Sequence, residues 1–239
     1  MSRTHLNIVV IGNAGSGKST IIGCLVSKLE GQYDGLAQLV QENAHPEKYG
    51  TAYDYAKAIN EYASRENEDP DAITPWNMET PKYDISLYEI PDLDSFHDNV
   101  SSGIIPADGA ILVLSASSGE GLEAGENDQT IQFAKLANEL GISQIVLAIS
   151  KMDTTRWSED RFNEYLKETC HLLKRKAQYN IRAVAGVPIC ATYGDNMLEE
   201  SPNMAWYKGW TKEARGGVLK GKPLLDAIDG VEPPVRRRN

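Results

Sequence analysis

Between the apolar run at residues 7–11 (NIVVI) and a helix-like stretch at 19–28 stands Gly12-Asn13-Ala14-Gly15-Ser16-Gly17-Lys18-Ser19. No other part of the chain narrows the fold as much. The run fits G-x-x-x-x-G-K-[ST] at every position, and it lies between a buried-strand pattern and a helical one, where a phosphate-binding loop has to lie. Backbone N–H groups in such a loop, and at the helix start after it, form a nest of positive dipoles, and glycine lets them approach phosphate without a Cβ in the way. Lys18 is expected to bridge the β- and γ-phosphates and the Ser19 hydroxyl to ligate Mg²⁺. Residues 12–19 and the following Thr20 are the candidate phosphate-side residues.

The rest of the chain alternates short apolar runs with helical patterns. Strands are expected at 84–90, 109–115, 144–149 and 186–190, and helices at 128–140 and 158–177, the latter starting at Ser158. That alternation predicts an α/β fold of the P-loop nucleotide-binding class, a mostly parallel central sheet with helices on both faces. Residues 41–82 are polar and punctuated by Pro46, Pro70, Pro75 and Pro81, with one helix expected around 53–62, so they read as a long insertion. Pro233-Pro234 reads as a domain exit and Arg236 to Arg238 as a solvated basic tail, which makes 1–235 one domain and 236–239 a tail.

Composition excludes several classes. A net charge of −10 argues against a surface that wraps nucleic acid unaided. Three cysteines, Cys24, Cys170 and Cys190, are too few for a disulfide framework or a cysteine-rich zinc site, and His5, His45, His97 and His171 do not stand at metal-ligand spacing. The N-terminus runs straight into a strand pattern without a secretory leader, and no apolar run approaches the roughly 20 residues of a membrane span. A cytoplasmic protein without membrane partners is expected.

A phosphate loop does not choose the base. Ser150-Lys151-Met152-Asp153, at the end of an apolar run, looks like the Asn-Lys-x-Asp guanine motif with Ser for Asn. The Asp153 carboxylate can accept two hydrogen bonds, from the guanine ring N–H and the exocyclic amine, whereas adenine offers no matching pair of donors. Lys151 is expected to lay its stem along the base, and Ser150, shorter than Asn, to hold the phosphate loop less firmly. An ATPase or kinase reading would leave Asp153 without a purpose.

The segment Gly194-Asp-Asn-Met-Leu-Glu-Glu-Ser-Pro-Asn-Met-Ala-Trp-Tyr-Lys-Gly-Trp210 resembles the GTPase domain of the eukaryotic and archaeal elongation factor 1-alpha family of translational GTPases. Residues 5–12, 119–125, Gln129-Thr130 and Pro233-Pro234 extend the likeness over 4–234. The resemblance implies GDP or GTP as ligand, Mg²⁺, a base loop at Cys190-Ala191-Thr192 where the family has Ser-Gly or Ser-Ala, and the ribosome or translation factors as partners. Family members carry two β-barrel domains that this sequence lacks, which argues against delivery of aminoacyl-tRNA by this chain alone. Whether it is a fragment or free-standing stays open.

Departures fall on the loops that sense the γ-phosphate. Pro70 stands at the threonine position, between Glu68 and Asp71, and proline offers neither hydroxyl nor N–H. The family's Asp-x-Pro-Gly-His is Glu89-Ile90-Pro91-Asp92-Leu93. Glu89 can hold Mg²⁺ through water; Asp92, at the glycine position, adds a charge that repels phosphate by on the order of 4 kcal/mol at about 4 Å; Leu93, at the histidine position, can neither accept nor position a proton. Two functions follow: an active GTPase hydrolysing GTP on the ribosome, which needs the missing groups, or a pseudo-GTPase that binds guanine nucleotide with slow or no turnover, which is the expectation.

Overall fold

The run at the N-terminus forms β1 (Thr4–Ile11), the strand that delivers the glycine loop. It pairs in parallel with β3 (Tyr83–Glu89) on one flank and β4 (Gly109–Ser115) on the other, and β5 (Ile145–Ser150) and β6 (Ala185–Pro188) continue the parallel sheet beyond β4. An antiparallel strand, β2 (Pro75–Glu79), closes the other edge, giving the order β2-β3-β1-β4-β5-β6. The computed structural model describes residues 3–28, 39, 51–66, 72–117 and 129–234. The segment at 119–125, the helix start expected at 128, much of the 41–82 insertion and the tail at 236–239 lie outside these.

Every residue of β4 and of β5 is buried, although successive side chains point to opposite faces, so both faces of the sheet centre are covered. The cover is helical. α1 (Lys18–Lys28) packs with α2 (Thr51–Glu66), while α3 (Leu93–Ser101), α4 (Gln129–Glu139) and α5 (Glu159–Lys176) contact one another in succession, and a short α6 (Leu224–Asp229) touches β5. Ser158 caps α5, its hydroxyl accepting from the Arg161 N–H at 3.3 Å, as its position in the sequence predicts. No described helix is long and apolar enough to cross a membrane.

Three elements were not anticipated. β2 lies inside the segment read as an irregular insertion. Pro75 opens it and only Trp76 and Met78 are buried, the alternation of a short edge strand, where a proline without N–H is tolerated. The helix α3 starts at Asp92, whose carboxylate accepts from the Ser95 N–H at 2.7 Å. A separate hairpin joins β7 (Trp210–Ala214) to β8 (Gly217–Gly221) through Arg215-Gly216. β7 buries Trp210 and Lys212, and a lysine at a buried position breaks the apolar alternation by which a strand is recognised.

The parallel strands end at one edge of the sheet, where ligands of open α/β sheets gather. Register aligns those ends: Val10 faces Glu89, Ile11 faces Leu112, Ser115 faces Ser150, and Ile149 faces Pro188. α3 is anchored beside that edge by Phe96, fully buried, whose ring centroid lies 6.1 Å from that of Phe133 on α4. Phe96→Ala is expected to lower the free energy of unfolding by about 3–5 kcal/mol, measured by urea denaturation.

Candidate functional site

The loop after β1 turns at Gly12 with φ 142°, and a Cβ there would lie 2.3 Å from the Val113 carbonyl oxygen, so only glycine lets the chain cross the tip of β4. The loop closes with the Ser16 N–H on the Asn13 carbonyl at 3.1 Å. Thr130 of α4 donates to the Asn13 side-chain oxygen at 2.9 Å, which ties the loop to a second helix.

Lys18 is buried and its ammonium donates to the carbonyls of Gly12 at 2.9 Å and Asn13 at 3.1 Å. Burial pulls its pKa below the usual lysine range, and the Glu89 carboxylate opposes that shift. The Ser19 hydroxyl donates to Glu89 Oε1 at 2.7 Å. Two oxygen donors from β3 and α1 thus meet beside the phosphate loop, a donor set suited to Mg²⁺, which prefers oxygen ligands and keeps several waters.

Ser150, expected to hold the phosphate loop less firmly than Asn, still makes contact with it. Its hydroxyl lies 2.5 Å from the Ser16 carbonyl oxygen and 3.0 Å from that of Leu114, and the side chain is buried. The serine therefore does reach the phosphate loop. The gap is closed because the loop passes close by: a Cβ on Gly17 would lie 3.7 Å from the Ser150 oxygen. What serine loses against an amide is number, since its single proton serves one carbonyl at a time.

Beyond Ser150 the chain enters a left-handed residue, Lys151 (φ 57°), then the single 3₁₀ turn Met152–Thr155 that carries Asp153. A second loop, at 189–195, lies alongside. Two bonds join them, Met152 N–H to the Ile189 carbonyl at 3.2 Å and Cys190 Sγ–H to Asp153 Oδ1 at 3.0 Å, and just beyond the turn Trp157 Nε1–H reaches Asp195 Oδ2 at 2.9 Å. Burial, aided by the hydrogen bond to Asp153, pushes the Cys190 thiol up to about 12.

These parts enclose a cleft of about 430 Å³, within the range of small-molecule sites. Gly15, Gly17, Lys18, Ser19, Thr20, Glu89, Ser150, Lys151, Asp153, Cys190, Ala191 and Thr192 line it; Gly12, Asn13, Ala14 and Ser16 do not. Thr154 also lines it and escaped the sequence reading, having no signal beyond following Asp153. Asp92 faces a neighbouring hollow, with its carboxylate turned into its own helix on the N–H and hydroxyl of Ser95, at 2.7 and 3.1 Å. Those two bonds cap the start of α3. Leu93 packs against the core. Pro70, with Glu68 and Asp71, lies outside the described residues.

Gly12 and Gly15 separate two kinds of constraint. Both need a left-handed backbone, but a Cβ on Gly15 (φ 76°) meets nothing within 4 Å. Gly15→Ala is expected to cost about 1–2 kcal/mol, and Gly12→Ala, which adds the clash with Val113, clearly more, both read by urea unfolding.

Residues 3–234 match the family model of the elongation factor Tu GTP binding domain. Elongation factor 1-alpha of Mucor circinelloides f. lusitanicus is 43% identical over 237 residues, covering 98% of this chain and 51% of that protein. The same factor of Absidia glauca is 44% identical with the same coverage. The chain thus spans about half the length of the curated relatives it matches. Among solved structures, Sup35 complexed with GDP superposes with a TM-score of 0.62 at 27% identity, covering 95% of this chain and 45% of that one. The S. cerevisiae Ski7 GTPase-like domain bound to GTP gives 0.68 at 20% identity, over 87% and 48% of the two chains, a likeness of fold alone.

Proposed function

The chain belongs to the elongation factor Tu GTP-binding domain family, and from that premise we propose that it holds guanine nucleotide with Mg²⁺ but hydrolyses GTP slowly or not at all. The phosphates would lie on residues 12–20 and the base between Lys151, Asp153 and the loop Cys190-Ala191-Thr192, where the Ala191 N–H can meet the guanine carbonyl. Ser19 and, through water, Glu89 would hold Mg²⁺, which neutralises charge on the phosphate oxygens when bound. Residues 1–235 would act as one nucleotide-binding domain.

The observation that carries slow turnover is the start of α3. Hydrolysis needs a group that orients the attacking water, and the residue that follows Asp92 is Leu93, an aliphatic side chain packed against the core. Asp92 itself is committed to capping, accepting from Ser95 at 2.7 Å. In place of the family's glycine, whose backbone N–H meets the γ-phosphate, Asp92 adds a β-carbon and a carboxylate on the approach to that phosphate. Missing water orientation and missing γ-phosphate contacts each slow such reactions by about two to three orders of magnitude or more.

Relatives' names point to translation, so the ribosome or a translation factor is the proposed partner and the cytoplasm the proposed location. Two measurements test the proposal. Mass spectrometry of protein purified without added ligand is expected to find GDP or GTP. Single-turnover hydrolysis of GTP is expected to stay slow when ribosomes are added; a steep acceleration would restore the active-GTPase reading.

A further inference from the structure

While Cys190, Ala191 and Thr192 line the nucleotide cleft, Tyr193 and the residues after it line another, of about 790 Å³. Trp157, Tyr193, Leu198, Glu199, Glu200 and Pro202 stand in the wall of this second cleft, and none of them lines the first. Two aromatic rings make one corner of it. The centroids of Trp157 and Tyr193 lie 6.4 Å apart with their planes at 52°, and Tyr193 is 67% exposed.

The indole of this corner is held from several directions. The Trp157 N–H donates to the Met152 carbonyl at 2.8 Å, its carbonyl accepts from the Trp206 indole at 2.9 Å, and its own indole N–H donates to Asp195 at 2.9 Å. Trp157 (φ 53°) and Arg156 before it (φ 55°) are both left-handed, a region that costs a bulky residue about 1–2 kcal/mol. Strain of that kind concentrates at ligand clamps.

Carboxylates supply the charge. Asp195 is committed to the fold, accepting from Ser201 at 2.6 Å and Asn203 at 3.1 Å as well as from Trp157. Glu199 and Glu200 are exposed. Glu200 accepts from the Lys222 ammonium at 2.6 Å, whereas the Glu199 side chain has no hydrogen bond or ion pair among the described residues. An aromatic face attracts cations, and a guanidinium is both flat enough to stack on it and forked to meet a carboxylate. Nucleic-acid bases would stack as well, but they bring phosphates that two glutamates, and a chain of net charge −10, repel.

We propose that this cleft docks an arginine-bearing segment of a partner protein, the guanidinium stacked in the Trp157–Tyr193 corner and paired with Glu199. Leu198 and Pro202 offer apolar surface to the rest of the segment. The docking site is independent of the guanine reading, because its side chains lie outside the nucleotide cleft.

NMR titration of the full chain with the capped peptide GRGRG tests it, read at the Trp157 indole N–H, whose signal is identified by its loss in Trp157→Phe. That signal is expected to shift to saturation with GRGRG and to need about three times as much GKGKG or more, since an ammonium neither stacks nor forks. Tyr193→Ala and Glu199→Gln, both at exposed positions, are each expected to weaken GRGRG about three- to tenfold. Lys222→Ala, which releases Glu200, is expected to tighten it about two- to fivefold. No saturable shift with GRGRG, equal binding of GKGKG, or an affinity unmoved in Tyr193→Ala and Glu199→Gln would overturn the proposal. A saturable shift with oligouridine would overturn it too, by giving the aromatic pair to single-stranded RNA.

Discussion

The passage of the backbone at Gly12 beneath the Val113 carbonyl is the constraint on which the rest of the site depends. β1 and β4 are hydrogen-bonded neighbours, with Ile11 opposite Leu112, so a chain leaving β1 for α1 must turn at once across the tip of β4. The turn at φ 142° allows it. It lays the glycine loop over the strand ends, within reach of the Ser150 hydroxyl on β5, which bonds the Ser16 carbonyl at 2.5 Å. That contact links the phosphate side of the cleft to the base side, and the base side is in turn stitched to the loop at 189–195.

Charge is arranged around this frame with internal partners. The buried Lys18 ammonium rests on carbonyls of its own loop, and Ser19 on Glu89. Each of these groups is therefore held near the place where a phosphate or a cation would exchange for its present partner, which keeps the cost of reorganising on binding small. On the other side of Glu89 the loop has a different task. Asp92 and Leu93 serve the start of α3, one by capping it and one by packing, and Phe96 anchors the helix beneath them.

Much of the architecture was legible because local pattern and tertiary need coincide. The fully buried strands β4 and β5 are continuous apolar runs, and α5 carries its Ser158 cap in the sequence. The misses have physical causes. β2 is an edge strand that buries two side chains, too few to stand out from a polar segment. The hairpin of β7 and β8 hides behind buried Lys212. α3 was legible in part, since Asp92 is a good N-cap residue and Leu93, Phe96 and Val100 share a face, but an aspartate in a loop carries charge and capping ability alike, and only the fold decides which one it uses.

In the site, residue type alone determined a great deal: that a nest of N–H groups with Lys18 and Ser19 suits phosphate and Mg²⁺, that Asp153 suits guanine, and that leucine at 93 has no polar atom to offer. These follow from side-chain chemistry, which needs no coordinates. Only the tertiary structure decided that Ser150 reaches the phosphate loop, that the Asp92 carboxylate turns into its own helix, and that Cys190 meets Asp153 across 37 residues of sequence. Those are distances, set by how closely packed strands bring their ends together, and a change of an ångström makes or breaks each hydrogen bond.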